Sequence, residues 1–99
     1  MKESSIADLN LALKKKEFSS VELTKFFLKR IGKYNQDLNA VITTCDEAAL
    51  IEAEKADTRI AEGNAPDLCG IPILHKDIFC TKNVLTTCGS KMLANFYPP

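Results

Sequence analysis

The sequence predicts an α/β domain, with helices in residues 1–63 and the first strands of a sheet in residues 64–99. Two observations lead to this prediction. The first part has apolar residues at helical spacing behind two serine capping motifs. The second part has short apolar runs bounded by Gly, Pro and polar loops, a pattern typical of strands. Because two or three short strands do not form a stable sheet alone, we expect residues 1–99 to be the N-terminal portion of one larger domain.

Two amphipathic helices are predicted at the start of the chain. The first covers residues 5–16, where Ser5 can cap the N-terminus together with Asp8. The second begins at Ser19 or the next residue, because Ser19 and Glu22 form the S-x-x-E capping-box pattern. We assign both apolar faces to the core rather than to chemistry. These faces consist of Ile6, Leu9 and Leu13 in the first helix, and of Leu23, Phe26, Phe27, Leu28, Ile31 and Tyr34 in the second.

A short strand and a third helix are predicted next. Residues 40–44 are mostly apolar and β-branched, which favours a strand. Residues 46–62 are rich in Ala and Glu, both good helix formers, and Gly63 stands where a C-terminal cap is expected. Residues 64–67 are predicted to be a loop.

Charge is balanced over the whole chain but not along it. The 99 residues contain thirteen basic and thirteen acidic side chains, so the chain lacks the basic surplus of a protein that binds nucleic acid by itself. Basic residues dominate residues 14–33 and acidic residues dominate residues 46–67. This pattern is typical of two solvated helix faces of opposite sign, docked on each other, and a partner-binding surface is the alternative.

The four cysteines are predicted to be reduced thiols. No apolar run approaches the ~20 residues that span a bilayer, and we expect no secretory signal, which favours a cytoplasmic protein. A zinc site is conceivable, but the spacing of its ligands matches no common structural zinc pattern, so we expect no metal. The cysteines are Cys45, Cys69, Cys80 and Cys88, and the fourth zinc ligand beside the last three would be His75.

The most informative segment for chemistry is GIPILHKD, residues 70–77. It predicts an edge strand, since Pro72 lacks a backbone donor, and this strand delivers Lys76 and Asp77 to a buried edge. Burial lowers the pKa of a lysine, so that Lys76 can act as a general base, while a carboxylate close by opposes that shift. On spacing alone an ordinary strand-end lysine is the alternative. His75 should point to the opposite face and serve a structural role.

These residues carry a resemblance to a known family. GIPILHKD at residues 70–77, followed by TTCGS at residues 86–90, resembles the G-x-P-x-x-x-K-D and T-x-G-S pattern of the amidase signature family. Residues 75–81 and 89–93, with residues 19–24, are similar to one branch of that family, the amidase subunits of bacterial tRNA-dependent amidotransferases. The resemblance covers the whole chain and implies the mixed-sheet amidase signature fold, incomplete in this chain.

The resemblance also implies a mechanism. Such enzymes use a Ser–cis-Ser–Lys triad, and Lys76 maps onto its lysine, which takes the proton of the nucleophilic serine through the middle serine. The serine attacks the carboxamide of glutamine, ammonia leaves, and water releases glutamate from the acyl-enzyme. Ammonia then converts misacylated Glu-tRNA(Gln) or Asp-tRNA(Asn) to Gln-tRNA(Gln) or Asn-tRNA(Asn). The implied partners are the amidotransferase subunits B and C, the first of which holds the tRNA, ATP and Mg²⁺, and this chain binds no cofactor itself.

The sequence departs from the family in one respect. The Gly/Ser-rich block that carries both triad serines is absent, and Ser90 lies in the T-x-G-S turn, where the pattern suggests turn structure. Residues 1–99 alone are therefore expected to be inactive, with the glutamine-binding residues beyond Pro99. The alternatives are another amidase signature hydrolase acting on small amides, and a small helical interaction module that uses Phe26 and Phe27 or the charged helices.

Overall fold

The computed structural model of the chain describes residues 3–99, which form three α-helices and one short 3₁₀ helix. The three predicted helices are thereby confirmed, and Met1 and Lys2, which the helical prediction included, lie outside the described residues. The bounds are α1 at Ile6–Lys14, α2 at Ser20–Leu38, α3 at Asp46–Glu62 and the 3₁₀ helix at Lys91–Leu93.

Both predicted capping boxes are present. The Ser5 hydroxyl accepts a hydrogen bond from the Asp8 amide at 3.1 Å, and the Asp8 carboxylate accepts one from the Ser5 amide at 3.0 Å. Ser19 and Glu22 make the same pair of bonds at 3.0 and 2.7 Å. α1 ends earlier than predicted because Lys16 adopts a left-handed conformation with φ of +58°. Helix starts are thus specified by four consecutive residues.

A small apolar core joins the three helices. Leu9, Leu13 and Leu23 are buried, and Leu23 is fully inaccessible to solvent. α2 packs against α3, and partly buried side chains close the cluster from four sides. The apolar face of α2 is therefore buried at its start, whereas Tyr34 near its end is 39% exposed. The partly buried side chains are Phe18, Phe27, Ile60 and Ile71.

A polar junction ties the start of α2 to α3 and to the segment after α3. The Asp57 carboxylate accepts hydrogen bonds from the Ser20 amide at 2.6 Å and the Val21 amide at 3.2 Å. These amides are among those that a helix leaves unsatisfied at its N-terminus, where a negative charge is also favoured. The buried Ser20 hydroxyl donates to the Gly70 carbonyl at 2.9 Å. The junction therefore fixes where the segment carrying residues 70–77 leaves the helices.

Opposite charges meet at the surface as an exposed ion pair. The Lys14 ammonium lies 2.9 Å from the Asp67 carboxylate, and it holds the pKa of Asp67 below its ordinary value by a hydrogen bond and by charge. The basic and acidic segments that the sequence predicts are thus in contact at one point. None of the helices described in residues 3–99 is long and apolar enough to cross a membrane.

The predicted strand at residues 40–44 is wrong. Asn39 ends α2 in a left-handed conformation with φ of +47°, and no strand follows it. The Asn35 side chain accepts hydrogen bonds from the amides of Ala40 and Val41 and donates one to the Val41 carbonyl, at 2.8–3.0 Å. These bonds resemble those that a neighbouring strand makes. An α2 side chain therefore satisfies this backbone without a sheet.

The predicted strands after Gly70 do not form within residues 3–99 either. Residues 71–76 have no regular secondary structure, and residues 77–79 form a turn closed by the Phe79 amide and the Lys76 carbonyl at 3.2 Å. An isolated strand is unstable because its amides and carbonyls lack partners, and no neighbouring strand is among the described residues. Ile73 and Leu74 remain exposed, with relative accessibilities of 71% and 72%.

Candidate active site

Lys76 lies on the irregular segment that follows the polar junction. Its side chain is exposed, and the ion pairs within residues 3–99 join other residues, Lys14 with Asp67 and Lys55 with Glu52. The prediction of a buried edge for Lys76 is therefore wrong for the described residues, because the strands that would bury it are not formed. The amine is free to meet a hydroxyl group from another segment.

Asp77 has a different environment from its neighbour. Its carboxylate accepts hydrogen bonds from the Thr87 amide at 2.9 Å and from the Thr87 hydroxyl. The hydroxyl bond, then the amide bond, lower the pKa of Asp77 from its ordinary value, with the Gly89 amide adding to them and burial opposing them. Asp77 is therefore a charged acceptor directed at the turn formed by residues 86–90, and the turn is a specific partner for it.

The turn at residues 86–90 is a compact polar unit. Thr86 and Thr87 are buried, at 3% and 7% accessibility, although both are polar. Cys88 and Gly89 both have positive φ, +51° and +69°, so the chain reverses sharply there. The Gly89 amide donates to the Thr87 hydroxyl at 3.1 Å. Within residues 3–99 every buried side-chain polar atom has a hydrogen-bond partner.

Serines of the described chain are engaged in structure rather than placed beside Lys76. Ser5 and Ser19 cap helices, Ser20 is buried against Gly70, and the Ser90 hydroxyl accepts a hydrogen bond from the Met92 amide at 3.2 Å at the start of the 3₁₀ helix. The short helix predicted after Ser90 is confirmed. Ser90 thus has a capping role in the turn.

An apolar groove runs between α2 and the segment that carries Lys76. Its volume is about 780 Å³, and its walls come from the second half of α2, from residues 40–45 and from residues 72–86. Lys76 and Asp77 belong to its lining, as does the exposed Phe79. The His75 ring packs edge-to-face on Phe79 with centroids 6.0 Å apart, in keeping with a structural role. The arrangement offers an amine at the edge of an apolar groove.

Metal binding receives no support from the described residues. No group of three or more His, Cys, Asp or Glu side chains in residues 3–99 could hold a metal ion. All four cysteines are free thiols there, with Cys45 and Cys69 half-buried and Cys80 and Cys88 exposed. The zinc set considered from the sequence is therefore not assembled in this part of the chain.

Two residues that organise the site were not predicted from the sequence. Thr87 went unnoticed as the partner of Asp77, and Asp57 as the cap of α2. Both links join side chains to backbone amides far apart in sequence, which no local pattern reveals. The one signal in the sequence was the succession of two threonines before Gly89, a composition typical of polar turns.

Comparisons with known proteins cover the whole chain. The family model described as Amidase matches residues 22–99. The A subunit of the glutamyl-tRNA(Gln) amidotransferase from Saccharophagus degradans is 54% identical over 99 residues, which are 100% of this chain and 20% of that protein. The proteins of the same name from Nitrosococcus oceani and Coxiella burnetii are each 52% identical over the same shares. The chain therefore spans about a fifth of the length of these curated relatives.

Proposed function

Because the chain belongs to the amidase family, we propose that it is the N-terminal part of the glutaminase subunit of a tRNA-dependent amidotransferase. The observation that carries the proposal is the identity of 54% over the entire chain to such a subunit. The segment with Lys76 and the turn at residues 86–90 lie within the part that matches the family model. A small helical interaction module would not account for that match.

The proposed reaction begins at Lys76. In the complete domain its neutral amine accepts a proton that passes through a middle serine from the nucleophilic serine, both supplied by chain beyond residue 99. The serine oxygen attacks the glutamine carboxamide, and ammonia leaves as the acyl-enzyme forms. Water then cleaves the ester and releases glutamate. Residues 1–99 alone hydrolyse no glutamine in this proposal, because their own serines are committed to caps and to the polar junction.

The complete domain would also supply the missing sheet. We infer that residues 70–81 pair with strands from beyond residue 99 in a mixed α/β sheet. The exposed Ile73 and Leu74, and the irregular backbone of residues 71–76, support this inference. Covering these residues would remove water from around Lys76, and a desolvated lysine has a lowered pKa, as a general base at neutral pH requires.

The proposed partners, subunits B and C, follow from the same assignment. Ammonia produced by the glutaminase would be used by the first of them, which binds ATP, Mg²⁺ and the misacylated Glu-tRNA(Gln) or Asp-tRNA(Asn), while the second joins the complex together. The balanced charge of this chain supports placing the tRNA contacts mainly outside it. The proposed location is the cytoplasm, where such tRNAs are made. An amidase acting on small amides is the second candidate.

The decisive experiment replaces Lys76 in the full-length glutaminase, reconstituted with subunits B and C. We expect Lys76→Ala to lower the rate of ammonia release from glutamine by about 10²–10⁴-fold, the usual contribution of general base catalysis. The thermal midpoint should not change, because the side chain makes no ion pair within residues 3–99. Ammonia release is measured with a coupled dehydrogenase assay.

Lys82→Ala is the matched control, since Lys82 is an exposed lysine six positions later in the same segment. It should keep the ammonia release of the unaltered complex. Near-normal release from Lys76→Ala would refute the role of Lys76. Glutamine-dependent amidation of misacylated tRNA separates the leading candidate from the small-amide hydrolase, which would release ammonia without amidating tRNA.

A further inference from the structure

We propose that Asp77 and Thr87 form a clamp that positions Lys76, so that both are positioning residues for the proposed amide hydrolysis. The clamp consists of the Asp77 carboxylate on the Thr87 amide and hydroxyl, together with the Asp77 carbonyl on the Cys88 amide. The proposal rests on the role of Lys76 given above. It assigns to Asp77 a task other than pairing with the neighbouring amine.

The geometry of the clamp supports this task. Asp77 is held from both its side chain and its backbone, since the Cys88 amide donates to the Asp77 carbonyl at 2.8 Å. Two consecutive amides of the turn, those of Thr87 and Cys88, therefore bind one residue. Hydrogen bonds to an ionised carboxylate are about twice as strong as neutral ones. The Cα atom of Lys76 lies ~3.8 Å from that of Asp77, so the clamp restricts where Lys76 begins.

The charge of Asp77 is directed away from the amine by the same bonds. One carboxylate oxygen accepts from the Thr87 amide and the other from the Thr87 hydroxyl. These bonds keep the pKa of Asp77 low, so the carboxylate stays ionised without needing Lys76 as its partner. A base must be neutral to accept a proton, and a dedicated partner for the adjacent anion favours that state.

Burial separates the clamp from the group that it positions. Thr87 is 7% exposed and its hydroxyl also accepts from the Gly89 amide at 3.1 Å, so the hydroxyl is held by two bonds. Lys76 is exposed and has no fixed partner in the described residues. A rigid buried pair next to an unrestrained amine is the arrangement by which one residue orients another.

The test compares three variants of the full-length glutaminase, reconstituted with subunits B and C, with glutamine as substrate. Thr87→Val keeps the shape of the side chain but removes the hydroxyl, whereas Thr87→Ser keeps the hydroxyl. Thr86→Val is the matched control, because Thr86 is similarly buried and its hydroxyl donates to the Val84 carbonyl instead of to Asp77. Steady-state kinetics give kcat and KM, and circular dichroism reports the thermal midpoint.

We expect Thr87→Val to lower kcat by about 10–100-fold, as a misplacement of a catalytic group by about 1 Å does, with KM changed less than about twofold. Thr87→Ser should recover most of this loss, and Thr86→Val should lower kcat far less than Thr87→Val. An unchanged kcat in Thr87→Val, an equal loss in Thr86→Val, or no recovery in Thr87→Ser would each overturn the clamp.

Two further comparisons keep the result unambiguous. If Thr87→Val does not fold, Asp77→Asn decides, because an amide can accept only one of the two Thr87 bonds, and a normal kcat in that variant overturns the proposal. Lys76→Ala separates the two hypotheses. Loss of activity in Lys76→Ala with normal kcat in Thr87→Val refutes the clamp alone, whereas full activity in Lys76→Ala refutes the proposed function.

Discussion

The helical region, residues 3–63, and the segment of residues 70–99 are stabilised in different ways. Each buried leucine of the described chain belongs to the helices, and the core there closes around Leu23. In residues 70–99 the buried side chains include Thr86 and Thr87, and the turn is held by hydrogen bonds to Asp77. One region is organised by apolar packing, and the other by a polar network.

The difference shows which region depends on further structure. Helices satisfy their backbone hydrogen bonds internally, whereas extended chain needs a neighbour. Large apolar side chains of the second region are correspondingly uncovered, and an apolar surface of this kind marks an interaction site. Those that are more than half exposed are Ile73, Leu74, Ile78, Phe79, Met92 and Tyr97. The segment that carries Lys76 is thus the face on which we expect the remainder of the domain to pack.

The largest expected effect comes from breaking the apolar region alone. Leu23→Ala should lower the free energy of unfolding of the helices by about 3 kcal/mol, since a large cavity replaces a fully buried side chain. Native-state hydrogen exchange on residues 1–99 should show faster exchange in α1 and α2 but not at Thr87 and Cys88. Leu38→Ala, at a position of α2 that is 70% exposed, is the control and should change little. An equal change in both regions would show one cooperative unit.

A smaller effect is expected where the two regions are joined. Gly70 has φ of +86°, and a Cβ atom there would lie 3.2 Å from the Cβ of Ser20 and 3.3 Å from the Cδ1 of Leu13. Gly70→Ala should therefore lower the free energy of unfolding by about 1–2 kcal/mol. Gly32→Ala is the control of opposite sign, because a Cβ there meets nothing within 4 Å. It should stabilise α2 by about 0.5–1 kcal/mol. Urea unfolding of both variants checks the signs, and stabilisation by Gly70→Ala would contradict the close junction.

The smallest expected effect is a difference in acid sensitivity between the regions. The pKa of Asp77 is lowered by folding, so its contribution is present above the unfolded value of about 4 and is lost as the pH falls through the folded value. The Thr87 amide resonance should stay constant between about pH 5 and 7, by this argument, and shift only below about pH 4. Asp77→Asn should abolish that shift while leaving the similar titration of the Ser5 amide by Asp8 in α1 intact. A Thr87 shift that survives in Asp77→Asn would exclude the assigned contact.

Local patterns predicted much of the helical region and little of the second. Ser5, Ser19 and Gly63 act at the helix ends as predicted, because capping depends on residues within one turn of each other. Asn35 was not predicted to replace a strand, since its role requires the backbone to turn back on α2. The strands failed for a related reason: an apolar, β-branched run favours a strand only where a partner strand exists.

The candidate site was predicted in part. The segment with Lys76 and Asp77 follows the junction as the sequence indicates, and Ser90 begins a short helix. The surroundings of Lys76 were not predictable, because they depend on packing against residues far away in the chain. The link between Asp77 and Thr87 spans ten positions without a regular element between them. Spacing patterns carry no information on such loop-to-loop contacts.

The two capping boxes bear on the order of events during protein synthesis. Each one places the first turn of a helix under the control of neighbouring residues, so α1 and α2 need no distant contact to start. A ribosome adds about 5–20 residues per second, whereas a helix forms in roughly a microsecond. The α-helices can therefore assemble cotranslationally, many seconds before a polypeptide as long as its relatives is released. They would then serve as a template on which the later sheet is built.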